Sequence, residues 1–164
     1  DKLHMQTLGA LAHFDFNSPK AYGYEQAFDV VRALGLGADT AAELFRRMAF
    51  NIVARNQDDH VKNISFLMDK SGAWTLSPAY DITFNQGAGP TSSHQMTLNL
   101  KSDGFELSDF KACAKVVGLK RGQAEAILEQ VTTAVRRWPE FADADDVDAA
   151  KARRIKQSHR LLIG

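Results

Sequence analysis

The sequence predicts a mainly helical α+β fold with one small β-hairpin near its middle. Three observations carry this. Apolar residues recur at helical spacing through most of the chain, most clearly Phe45, Met48, Ala49, Ile52 and Val53. Gly35, Gly37, Gly118 and Pro139 punctuate those runs. Two short β-type runs, 64–68 and 74–76, face each other across Asp69, Lys70, Ser71 and Gly72.

Taken in order, residues 3–11 are apolar enough for a buried helix that ends near the turn signal Asn17, Ser18, Pro19. Residues 24–34 read as a second helix, stopped by Gly35 and Gly37. Thr40 and Glu43 fit a capping box at the start of a third, in which hydroxyl and carboxylate satisfy backbone donors reciprocally. That helix ends near Arg55, where a charged loop begins. After the hairpin, 87–93 is rich in Gly, Pro and Ser and reads as a surface loop. Residues 94–100 alternate polar and apolar, the pattern of an exposed strand. Residues 107–117 form a helix with Ser108 as its cap and Gly118 as its stop. A further helix, 123–138, is closed by Pro139. An acidic connection, 143–148, leads to a last helix carrying Lys151, Arg153, Arg154, Lys156 and Arg160, with Ile155, Leu161 and Leu162 turned inward.

A chain of 164 residues is long enough for one domain with its own core, so 1–164 is read as a single domain. Twenty basic and twenty acidic residues cancel, which leaves no global field to attract nucleic acid or an anionic membrane. The lone Cys113 forms no internal disulfide and falls on an apolar helical position, as expected of an inert buried thiol in a reducing cytoplasm. No apolar run approaches the roughly 20 residues that span a bilayer. No basic-then-apolar leader opens the chain, and Asp1 is not a methionine, so the expectation is a piece of a longer protein.

The chemistry-bearing residues concentrate between 56 and 81. Asp58 lies five positions before Asn63, and Asp81 follows the hairpin. Phosphoryl transfer asks a protein for a carboxylate that orients the attacking hydroxyl and accepts its proton, plus hard oxygen ligands for magnesium. Protein kinases supply a catalytic Asp and a metal-binding Asn from one loop at this separation, and a later Asp for the metal. Taken singly, the same residues read as loop carboxylates, a turn former and a helix cap. Their combination argues against that. His60 reads as structural, its ring bonding loop backbone, because no second His lies at zinc-like spacing. Lys62 is placed either to meet a transferred phosphate as a point charge or to remain a solvated loop residue. Ser65 and Ser77 have no triad-like neighbours, and the turn 78–80 aims Asp81 while Tyr80 packs inward.

The run 55–67 (RNQDDHVKNISFL), followed by 74–82 (WTLSPAYDI), strongly resembles the kinase core of the HipA-like family. These are bacterial serine/threonine kinases that act as the toxin of a toxin–antitoxin pair. The segments 4–8 (HMQTL) and 22–25 (YGYE) look like the same family's helical lobe, so the resemblance covers nearly the whole chain. It implies the C-terminal helical lobe of a protein-kinase-like fold, with the hairpin carrying the catalytic and metal-binding loops. It further implies Asp58 as catalytic Asp, Asn63 and Asp81 as magnesium ligands, and ATP as co-substrate. An antitoxin DNA-binding protein is the implied partner, and a translation component such as an aminoacyl-tRNA synthetase the implied substrate. The family usually has a small residue before the loop His, where this chain has Asp59. Asp59 therefore competes for the role of base, and the spacing to Asn63 favours Asp58.

A kinase also needs a glycine-rich loop and a lysine that pairs with the nucleotide phosphates. Neither is found here. Gly87 to Pro90 lies downstream of the metal ligand and follows no phosphate-loop pattern. The resemblance places those elements in an N-terminal half preceding Asp1, so the fragment alone is expected to be weakly active or inactive. Two other classes stay open: a non-catalytic module that binds an antitoxin or regulator, and a small-molecule phosphotransferase. A metal-dependent nuclease is a distant further reading, opposed by the balanced charge. The basic last helix is either a solvated face or a contact for phosphate backbone or antitoxin. Without a groove-reading motif, sequence-specific DNA binding is not expected.

Overall fold

A computed structural model describes residues 2–163; Asp1 and Gly164 lie outside the described residues. The chain is helix-rich with one small antiparallel sheet. Its elements run β1 (His4–Thr7), α1 (Leu8–Ala12), α2 (Tyr24–Ala33), α3 (Ala38–Ala54), β2 (Ser65–Met68), β3 (Trp74–Leu76), α4 (Leu107–Val117), α5 (Gln123–Arg136), α6 (Trp138–Ala144) and α7 (Ala149–Ser158). A single 3-10 turn, Gly89–Ser92, interrupts the long connection after β3.

The expected hairpin gains a third strand. β1 pairs with β2 from His4 opposite Met68 to Thr7 opposite Ser65, giving the order β1-β2-β3. The continuous helix expected over 3–11 is therefore replaced by a strand and a short helix. A short apolar run does not distinguish the two states, and here backbone pairing with a strand some sixty residues away decides it. Thr7 marks the switch: its Oγ1 accepts from the Ala10 backbone N–H at 3.1 Å and caps α1.

Helix starts also moved relative to the sequence signals. α3 begins at Ala38 behind Gly37, whose carbonyl takes the Ala41 N–H at 3.2 Å, so Thr40 lies inside the helix. Glu43 is used differently, pairing with Arg46 at 2.8 Å and Arg47 at 3.0 Å. The cap of α4 is Glu106 rather than Ser108, with Asp109 Oδ2 accepting the Glu106 N–H at 2.8 Å. Gly118 closes that helix at φ 78°, as its lack of a side chain permits. Pro139 does not stop the chain but sits in the first turn of α6, where its missing N–H costs nothing. α7 ends at Ser158, capped at its start by Asp148; Ile155 is buried, Leu161 is half-buried and Leu162 is exposed, against the expectation for Leu162.

The core forms where α3 lies between α2 and α5, with α4 closing one side. Phe45 is fully buried in it, with ring centroids 6.4 Å from Phe28 and 6.3 Å from Phe110. Phe45→Ala is expected to cost about 3–5 kcal/mol, measured as a lower urea midpoint with an unchanged slope. Cys113 is buried in the same core, and burial pushes its thiol well above the usual range, as an inert thiol requires.

The segment 94–100 is not an exposed strand. His94, Met96, Thr97 and Leu98 are buried, and only isolated bridges tie it to Gly23 and Lys101. Asn99 and Leu100 take left-handed φ values of 49° and 64°, which turn the chain back on itself. Its alternation does not mark one buried and one exposed face, since Met96, Thr97 and Leu98 are all buried while Asn99 and Leu100 are both exposed. No helix is long and apolar enough to cross a membrane among the described residues.

Candidate active site

α3 ends where Arg55 adopts the left-handed conformation, φ 61°, and the chain reverses into the loop 56–64. Backbone and side chain knit this loop together. The Asp58 carbonyl accepts the His60 N–H at 3.0 Å and Asn63 Nδ2 at 2.9 Å, while the His60 carbonyl accepts the Asn63 N–H at 2.9 Å. Because the Asn63 amide nitrogen is spent inside the loop, its Oδ1 is the end left for a ligand. The partly buried Asp58 carboxylate accepts one bond, from Gln95 Nε2 to Oδ1 at 2.8 Å.

Asp81 lies on the far side of the sheet in sequence but is tied to this loop. Its backbone is left-handed, φ 54°, its carbonyl accepts from Asn56 Nδ2 at 3.2 Å, and its carboxylate is exposed with no partner among the described residues. No helix follows it, so it is not a helix cap. Tyr80 makes the second tie: its hydroxyl bonds Ser65 Oγ and the Lys62 carbonyl. The half-buried Tyr80 is thus a polar pin rather than core. Ser77 donates to the Pro78 carbonyl at 2.9 Å, while the Ser65 hydroxyl pairs with that of Tyr80.

Asp59 belongs to a different layer from its neighbour. It is 2% exposed and accepts three bonds: Tyr24 Oη at 2.8 Å and His94 Nδ1 at 2.8 Å on Oδ2, and the Gln95 N–H at 2.9 Å on Oδ1. With both oxygens occupied and its side chain buried, it is not placed to take a proton from a substrate. His94 Nε2 lies 2.8 Å from Arg160 Nη1, which only donates, so the ring carries its hydrogen on Nδ1 and gives it to Asp59. Burial, and then the Asp59 charge, push the Tyr24 hydroxyl well above the usual range, so it stays a donor. Arg160 also donates to the Ile52 carbonyl at 3.0 Å and to Asp103, pinning the tail to the end of α3. Burial and the nearby Arg55 draw its guanidinium down from its ordinary range, and Asp103 opposes them.

The other two expected residues of this loop, Lys62 and His60, use their side chains differently. Lys62 is exposed, with its ammonium 3.6 Å from the centre of the Phe16 ring. The His60 ring does not bond loop backbone as expected; it meets Phe16 edge-on at 4.7 Å, and its buried Nδ1 has no partner. Asn56 Oδ1 is likewise unpartnered, and both line a recess of about 10 Å³ together with Asn63 and Asp59. That is the scale of a single water molecule. Among the described residues no three His, Cys, Asp or Glu side chains converge as metal ligands.

Sequence reasoning missed Tyr24, Asn51, Asn56, His94, Gln95 and Arg160. The signal for His94 and Gln95 was present but misread, since a polar pair in a segment with Met96 and Leu98 suits a surface strand equally well. Arg160 was hidden inside a basic run whose other members are exposed.

The fold is found in a solved structure. The chain superposes on a chain of the Shewanella oneidensis MR-1 toxin–antitoxin complex of HipA, HipB and its operator DNA, with a TM-score of 0.75 and 17% identity. The match covers 95% of this chain and 42% of that one. No protein of curated function matches the sequence. The HipA-like C-terminal domain model matches residues 1–138, and the chain belongs to that family.

Proposed function

We propose that this chain is the C-terminal catalytic lobe of a HipA-like serine/threonine protein kinase, the toxin of a toxin–antitoxin pair, which transfers the γ-phosphate of ATP to a protein hydroxyl. The observation that supports it best is the union of Asp58, Asn63 and Asp81 in one hydrogen-bonded unit, each with a hard oxygen left free. In this reading Asp58 orients the attacking hydroxyl and accepts its proton on the oxygen that Gln95 leaves open. The side chains of Asn63 and Asp81 fit magnesium, which takes oxygen donors, keeps several waters and is completed by substrate phosphates. When bound, magnesium neutralises charge on those phosphates. Lys62 would reach a phosphate by leaving the Phe16 ring, at a cost of about 0.5–1 kcal/mol for an exposed cation–π contact. His60 remains a structural residue.

The chain covers 42% of its structural relative, and activity is proposed for the complete gene product, with this lobe alone weak or inactive. HipB and operator DNA in that relative support an antitoxin DNA-binding partner for this protein, with no sequence-specific DNA contact by this lobe. A cytoplasmic location and a substrate such as an aminoacyl-tRNA synthetase belong to the same reading. The test is transfer of labelled phosphate from ATP to casein or to the protein itself. The complete gene product should label with magnesium, lose label at least about 100-fold in EDTA and regain it on adding magnesium back. The 164-residue chain alone should not label. Metal-independent transfer, or robust transfer by the lobe alone, overturns the reading.

A further inference from the structure

Asp58 and Asp81 are held from behind by one continuous row of buried polar groups. It starts at Arg160, which donates to His94 at 2.8 Å; His94 donates to Asp59 at 2.8 Å. From the other side Tyr24 donates to Asp59 at 2.8 Å and accepts from Asn51 Nδ2 at 3.0 Å. Asn51 Oδ1 accepts from Asn56 Nδ2 at 3.1 Å, and the same Nδ2 reaches the Asp81 carbonyl at 3.2 Å. The row thus runs from the C-terminal tail, through the layer beneath the loop, to the backbone of Asp81.

Gln95 is its branch toward Asp58. Its backbone is clamped on both sides, the N–H on Asp59 Oδ1 at 2.9 Å and the carbonyl by the Lys20 N–H at 2.7 Å. Its side chain therefore leaves a fixed point and delivers Nε2 to Asp58 Oδ1 at 2.8 Å. A flexible surface glutamine would lose rotamer freedom to make that bond; here the backbone clamp has already limited it. With Oδ1 held, the orientation of the carboxylate and of its free oxygen is set.

We propose that Gln95 is the positioning residue for Asp58, and that the buried row Arg160–His94–Asp59 exists to fix Gln95. The proposal rests on the phosphotransfer reading above. Catalysis by a base depends steeply on its placement, and a displacement on the order of 1 Å can cost about 100-fold. Gln95 bonds Asp58 and not the residues suited to magnesium, Asn63 and Asp81, so its loss should act on turnover and spare nucleotide binding.

The experiment compares Gln95→Met, which keeps length and removes the donor, with Gln95→Lys, which restores a donor of similar reach, in the complete gene product. Gln95→Met should lower kcat about 10- to 100-fold with KM for ATP unchanged within about two-fold, and Gln95→Lys should recover part of the loss. On the present chain, the Gln95 side-chain amide resonances should exchange slowly and shift on Asp58→Asn. Unchanged kcat in Gln95→Met, no recovery with Gln95→Lys, or a Gln95 amide indifferent to Asp58→Asn each overturns the proposal. Absence of transfer by the unsubstituted gene product is a separate result, and removes the kinase reading itself.

Discussion

Asp58→Ala in the complete gene product is expected to reduce phosphotransfer by about 10²–10⁴-fold, the usual contribution of a positioned general base. The fold should survive. Asp58 is only partly buried, and its side chain makes a single bond, to Gln95. Losing that bond leaves one part-buried amide without a partner, which costs about 1 kcal/mol where water can still approach. Asp58→Asn preserves shape and removes the proton acceptor, so it should be nearly as inactive. Asn63 should keep its loop geometry in both variants, because it bonds the Asp58 carbonyl rather than the carboxylate. Labelled-ATP assays alongside thermal melts decide the matter. Transfer within a few-fold of the unsubstituted protein, with the melt unchanged, would remove Asp58 from the reaction.

The adjacent substitution should do the reverse. Asp59→Ala removes the common acceptor of Tyr24, His94 and the Gln95 N–H, all in a layer closed to solvent. Orphaned buried donors cost about 1–3 kcal/mol each, and stripping one partner from a buried charged network costs about 3–5 kcal/mol in all. Against a typical total of about 5–15 kcal/mol, such a chain sits at or near unfolding. Asp59→Asn should fall between, since its amide N–H must face another donor. Urea titration of the isolated lobe measures this without any activity assay. An unfolding free energy for Asp59→Ala within about 0.5 kcal/mol of the parent would show that the row contributes little. Two neighbouring carboxylates would then have been separated in role by solvent access alone.

How much could be read beforehand depends on the range of the interactions involved. Helices α2, α4 and α5 were legible because apolar spacing is a local property, as are the Gly stops of α2 and α4. The hairpin was legible from two β-type runs and a four-residue turn. β1 was not, because its pairing with β2 lies outside any sequence window and a short apolar run suits either state. The starts of α3 and α4 shifted for a related reason. Several residues near each start can cap, and the folded chain chose Gly37 and Glu106 over Thr40 and Ser108.

The site divides along the same line. Asp81 stood out as a candidate because it closes the hairpin that follows the loop, and Asp58 and Asn63 because five positions of separation within one loop is a short-range feature. So was the identity of the family, whose matched region includes the whole loop. Spacing to Asn63 favoured Asp58 over Asp59, but their difference in burial and partners was not visible, since both are carboxylates one residue apart. Only packing settled which faces outward to Gln95 and which turns into the layer of Tyr24, His94 and Arg160. Those partners come from α2, from an irregular segment and from the tail beyond α7, far apart along the chain. Local chemistry was enough to choose the helices, the loop and its candidate residues. Their burial and bonding waited on long-range contacts, because a buried polar group is tolerated only where distant segments arrive to satisfy it.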